Sequence, residues 1–135
     1  LAVITNIDPE HLDHYGTLEA LHEAFLAFIN KVPFYGATAL CLDHPAIQHL
    51  LPRVTKRYIT YGFTSQADLR AVDAVAEERY SNFSVLRREE FLGPITLQMP
   101  GRHNILNALA AIAVALEAGI PFKLIRQHAF VIHSN

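Results

Sequence analysis

Three short apolar runs, separated by helix-like segments, restrict the fold of this chain more than any other feature. Leu1-Ala2-Val3-Ile4, continuing to Ile7, is apolar and β-branched and stops at Asp8-Pro9. Ala37 to Leu42 and Arg57 to Phe63 are further runs of this kind. Strands that are apolar rather than alternating are covered on both faces, which is the condition of a parallel sheet flanked by helices. The segments between them carry a helical period. Leu18, Leu21, Phe25, Phe28, Ile29 and Val32 recur at three- and four-residue steps behind Thr17, a suitable N-cap, and predict a helix over 17–32. Pro33 to Gly36 breaks that helix, and a shorter one is predicted over 45–51.

The second half of the chain reads differently. From Ala67 to Met99 apolar and polar residues tend to alternate, as at Leu69 and Ala71, Phe83 and Val85, and Ile95 and Leu97. That suits two or three antiparallel strands with one wet face; the alternation slips between Val85 and Leu86 and leaves the register open. Pro100-Gly101 closes the segment. A helix is predicted from about Asn104 to Ala118, burying Leu106, Leu109, Ala110, Ala113 and Leu116, with Gly119 as its C-terminal cap. A last helix starts at Pro121 and reaches about Ala129. The expected fold is therefore α/β, a mostly parallel sheet flanked by helices with a small antiparallel β segment.

Bulk properties narrow the function only by exclusion. The 135 residues make one domain, and 51% hydrophobic residues supply its core. A formal charge of −2 gives no electrostatic case for nucleic acid or an anionic membrane. No apolar run approaches the roughly 18 to 20 residues that span a bilayer, and no signal peptide opens the chain. The single cysteine, Cys41, lies in an apolar run and reads as a small buried hydrophobe. These features fit a soluble cytoplasmic protein. The start on an apolar run without Met reads as a piece cut from a longer chain.

Two segments carry chemistry. Thr5-Asn6-Ile7-Asp8-Pro9-Glu10-His11-Leu12-Asp13-His14 follows the first strand, and α/β proteins place ligand sites beyond the carboxyl ends of their strands. Histidine and carboxylates there can hold a hard cation and its phosphate or shuttle protons; equally, they can cap the next helix and face water. Pro100-Gly101-Arg102-His103-Asn104-Ile105-Leu106-Asn107 lies at a strand-to-helix turn. An exposed histidine ring offers a stacking surface to a planar base, and an Asn amide can match the adenine N6/N7 edge. The alternative is a plain helix cap by Asn104 with a surface arginine.

Taken together, Thr5 to Asp13 and Gly101 to Ala108 resemble two signatures of the Mur ligase central domain. Pro33-Phe34-Tyr35-Gly36, Cys41-Leu42-Asp43 and Ile59-Thr60-Tyr61-Gly62-Phe63 resemble its L-alanine-adding branch. The resemblance covers Leu1 to Ala118 in order. It implies a cytoplasmic ligase that uses ATP and Mg2+ to join L-alanine to UDP-N-acetylmuramic acid through an acyl phosphate, in peptidoglycan synthesis. On the matching positions, His11 is the catalytic residue and a magnesium ligand, and His103, Asn104 and Asn107 surround the adenine. Asn6 and Glu10 shape the loop. Phe25 stands where several sister ligases carry a carbamylated lysine. The family's glycine-rich phosphate loop belongs before Leu1 and its amino-acid-binding domain after Ala129. Residues 1–129 are thus expected to form part of the central domain, with 130–135 a tail unlike anything expected there. Such a piece alone is expected to be inactive and to self-associate through an open strand edge beside Leu1 to Ile7 or Ala37 to Leu42. The rival readings are a murein-peptide recycling ligase, a non-catalytic nucleotide- or partner-binding module, and a metal-dependent hydrolase built on His11 and His14.

Overall fold

The apolar runs pair side by side. In the computed structural model, which describes residues 2–4, 23, 26, 27, 30 and 38–128, strands β1 (Ala2–Ile4), β2 (Thr38–Cys41) and β3 (Tyr58–Gly62) are parallel neighbours. Ile4 lies opposite Leu40, and Cys41 opposite Tyr61. All four residues of β2 are buried because both faces of the sheet are covered. On one face Leu40 packs with Ile47 and Leu50 of helix α1 (Pro45–Leu50), which runs on into a 3-10 turn at Leu51–Arg53. On the other, Ala39, Cys41 and Tyr61 join the main core beneath helix α2 (Arg102–Glu117).

Strands β4 (Leu69–Ala76), β5 (Ser81–Arg87) and β6 (Glu90–Leu97) form the antiparallel part. They are not a separate layer, because β4 also pairs with β3, giving one six-stranded sheet in the order β1-β2-β3-β4-β5-β6. That junction is parallel, yet the loop between the two strands is short. A parallel connection usually needs a dozen or more residues. Here only Tyr61–Leu69 and Gly62–Arg70 pair, so the chain steps sideways without travelling back along a strand. Asp68 reinforces the step: its Oδ2 accepts from Thr60 N at 3.0 Å and Oγ1 at 3.2 Å, and Thr60 Oγ1 accepts from Asp68 N at 2.9 Å. The register shifts between Val72 and Val75, where Asp73 takes a φ of 53°, and again between Val85 and Leu86, where the sequence alternation slips.

Helix α2 begins at Arg102 rather than Asn104, and of the face expected to be inward Leu109, Ala110 and Ala113 are buried. Ile105, Ala108, Leu109, Ala110, Ile112 and Ala113 are buried, while Leu106 and Leu116 are only partly so. The buried face is thus wider than the expected stripe, extended by Ile105, Ala108 and Ile112. Its end follows expectation: Gly119 N donates to Leu116 O and Ile120 N to Ala115 O, both at 3.0 Å, with Gly119 at a φ of 83°. Helix α3 (Phe122–His128) packs against β6, the Phe122 ring lying over Gly93.

Of the helix expected over 17–32, Glu23, Leu26, Ala27 and Asn30 are helical, and the remainder lies outside the described residues. Leu26, which was not on the expected stripe, is buried. Asn30 is tied to the chain that follows the 3-10 turn, its Oδ1 accepting from Thr55 N at 2.9 Å. Among the described residues β1 has a neighbour on one side only, as an open edge requires; β2 is interior, so the alternative edge at Ala37 to Leu42 does not exist. At the other rim, Pro94 of β6 faces Ser84, and a proline is tolerated there only with its nitrogen turned to the free edge.

Candidate functional site

The carboxyl ends of β2 and β3 converge on the amino end of α2, and Asp43 holds the junction. Its carboxylate accepts from Phe63 N at 3.1 Å and 2.9 Å and from Thr64 N at 3.0 Å. These bonds satisfy backbone groups that leave the ladder where β3 ends. Arg102, the first residue of α2, reaches the same carboxylate at 3.4 Å and stacks 4.0 Å from the centroid of the Phe63 ring. Gly62 permits this approach, since a Cβ there would collide with the Asp43 carboxylate.

Beside this junction is a recess of 180 Å³. Cys41, Asp43, His44 and Pro45 form one wall; His103, Leu106 and Asn107 form the other. His44 caps α1: its Nδ1 accepts from Ala46 N at 3.2 Å, which leaves the proton of the neutral ring on Nε2. Burial, the largest cause, pushes the Cys41 thiol above its ordinary range, so it is an apolar liner of the recess and not a nucleophile. A larger recess of 500 Å³ lies at the opposite end of the sheet. Its arginines each face an acid, Arg57 with Glu117 at 2.6 Å, Arg87 with Glu90 at 3.4 Å and Arg88 with Asp68 at 3.8 Å, so none of the three lacks a partner.

The expected site residues divide. His103 and Asn107 come together on one wall. Asn104 does not join them and is not the helix cap: it lies in the first turn of α2 and its Nδ2 donates to Pro100 O at 2.7 Å, tying the helix to the preceding strand. His11 and the rest of the histidine loop, with Asn6, Glu10 and His14, lie outside the described residues, as do Phe25 and 130–135. Among the described residues no group of three or more His, Cys, Asp or Glu side chains could hold a metal ion. Asp43 and Arg102 are what the residue-level reading missed, because their partnership spans 59 positions and has no local signature.

Tyr61 is fully buried in the core next to Cys41, and its hydroxyl has no hydrogen-bond partner among the described residues. Burial, then the nearby Cys41 and Asp43, hold its phenol well above the ordinary value of 10.0. Tyr61→Phe is expected to change stability at neutral pH by no more than about 1 kcal/mol, because an unpaired buried hydroxyl contributes little. The unfolded chain releases this proton above 10.0 while the folded protein keeps it, so wild-type stability falls as pH rises through that value. Denaturant midpoints measured from pH 7 to 11 should show a smaller alkaline loss in Tyr61→Phe; equal losses in both proteins would refute the assignment.

A profile of the Mur ligase middle domain matches residues 1–115. The chain belongs to the Mur ligase family. It is 50% identical over 93% of its length to the UDP-N-acetylmuramate–L-alanine ligase of Desulfatibacillum aliphaticivorans. It is 52% identical over 94% to the ligase of that name from Pelobacter propionicus. The chain spans 28% of the length of each of these relatives. Among solved structures, MurF from Acinetobacter baumannii superposes on 99% of the chain with a TM-score of 0.84 at 19% identity, the match taking 29% of MurF. MurC from Thermotoga maritima superposes on 93% with a TM-score of 0.74 at 23% identity, taking 27% of that protein. These likenesses establish the fold of the Mur ligase middle domain. In this Mur ligase domain the recess therefore sits at the carboxyl ends of the parallel strands, where open α/β sheets bind ligands. No helix among the described residues is long and apolar enough to cross a membrane.

Proposed function

We propose that this chain is part of a cytoplasmic, ATP-dependent ligase that joins L-alanine to UDP-N-acetylmuramic acid in peptidoglycan synthesis, and that its recess receives the adenine base. The observation that carries the reading is the identity of 50% to 52%, over 93% to 94% of the chain, with relatives of that name. The recess supports it chemically. Pro45 and Leu106 offer apolar surface for a planar ring, and His103 adds a face for stacking. Asn107 offers the donor and acceptor that an adenine edge requires. Bound ATP would supply the phosphoryl group that activates the substrate carboxylate. The residues of this recess bind and orient the base; they transfer no proton. Asn104 holds the turn that presents them.

Magnesium is part of the proposal through His11, the residue matched to a metal ligand of the family. That loop lies outside the described residues, and the described ones offer no cation cluster, so no step is assigned to the ion.

The function is tested in the full-length protein by phosphate release from ATP with UDP-N-acetylmuramic acid and L-alanine. Turnover with L-alanine in preference to a murein tripeptide supports the reading; preference for the tripeptide establishes the recycling ligase instead. Asn107→Ala is expected to weaken ADP binding, measured by calorimetry, roughly tenfold or more, the scale of a lost bidentate contact to adenine. Unchanged ADP affinity would remove Asn107 from the site.

A further inference from the structure

We infer that Asp43 and Arg102 are positioning residues which fix the separation of the two walls of the recess and thereby set how tightly a nucleotide is gripped. The inference rests on the nucleotide reading above and extends it to a pair of which Asp43 borders the recess and Arg102 stands outside it. One wall continues from β2 and the other is the first two turns of α2, and strand end and helix end share no backbone ladder. What ties them is a closed ring of contacts. Asp43 holds the amides of Phe63 and Thr64; Arg102 pairs with Asp43 at 3.4 Å; the Arg102 guanidinium lies on the Phe63 ring at 4.0 Å.

The two ends of the ion pair differ in exposure and anchoring. The Asp43 side chain is 14% exposed and is anchored by two backbone amides, so it is a fixed acceptor. The Arg102 side chain is 67% exposed, and in water such a pair alone is worth little. Stacking on Phe63 orients the guanidinium plane, which lysine cannot reproduce. Arg102 immediately precedes His103 and does not itself line the recess, so it acts on the ligand through the placement of its neighbours. Loss of Arg102 frees the first turn of α2, and with it His103, while the core face of the helix stays packed.

The test uses the full-length protein, with ADP binding by calorimetry, steady-state kinetics in ATP and melting curves. Arg102→Ala is expected to weaken ADP binding roughly tenfold and to raise KM for ATP similarly, with kcat at saturating ATP and Tm near wild type. Arg102→Lys should recover only part of the affinity. Arg102→Ala in an Asp43→Asn background should cost little more than Asp43→Asn alone, because coupled partners are not additive. ADP affinity unchanged in Arg102→Ala, or additive losses in the double variant, overturns the positioning role alone. A wild-type protein that fails to bind ADP overturns the nucleotide reading and this inference with it.

Discussion

Gly62→Val is expected to destabilise the protein by roughly 3 kcal/mol, the range of overpacking combined with broken buried polar contacts. A Cβ at Gly62 would lie 2.8 Å from the Asp43 carboxyl carbon and closer still to one of its oxygens. The carboxylate cannot retreat cheaply. It is held by Phe63 N, Thr64 N and Arg102, and its displacement strips two backbone amides of their acceptor. Valine adds further bulk where β3 ends against β4. Urea titration of the full-length protein measures the effect, and an Asp43→Ala background supplies the control. With the carboxylate removed, the further cost of changing Gly62 should fall to well under half. A wild-type midpoint in Gly62→Val would show that this close approach is wrong.

His11→Ala is expected to lower kcat of the full-length ligase roughly a hundredfold while leaving ADP affinity near wild type. Under the proposed function His11 would serve near the transferring phosphoryl group, as a cation ligand or a proton carrier, and either role counts most as charge develops. One hundredfold corresponds to about 2.7 kcal/mol at the transition state. The loss should appear in kcat and kcat/KM together. A magnesium titration separates the two roles: partial recovery at high magnesium marks a cation ligand, no recovery marks a proton carrier. Manganese binding by the variant, followed by electron paramagnetic resonance, gives a readout independent of turnover. Near-normal kcat at every magnesium level removes His11 from the site, and a lowered Tm with normal kcat assigns it to loop stability.

The parallel strands were legible because non-alternating apolar runs have few other uses, and β1, β2 and β3 all lie within the expected spans. The slip at Val85 and Leu86 was legible too, and it is a true register shift. The junction of β3 with β4 was not. It consists of two residue pairs and an Asp68 side chain, neither of which leaves a periodic trace. The inward face of α2 was legible in part: Leu109, Ala110 and Ala113 are buried as expected, but the sheet also takes in Ile105, Ala108 and Ile112 and leaves Leu106 and Leu116 at the margin of the core. In the recess, His103 and Asn107 could be read because one helical turn brings them together. Asp43, Phe63 and Arg102 meet only after the chain has folded across the sheet.

Pro94 has a consequence for how this domain behaves in a crowded solution. The rim of a sheet is adhesive wherever unpaired amides can template a foreign strand. β6 also carries Phe91, 61% exposed and so a ready nucleus for sticking. A strand approaching that rim meets Pro94 where it needs an amide donor, and Glu89 and Glu90 crowd their charge beside the exposed ring. The β6 margin is thereby passivated. Among the described residues this rim is therefore guarded twice, by a missing donor at Pro94 and by the carboxylates next to Phe91.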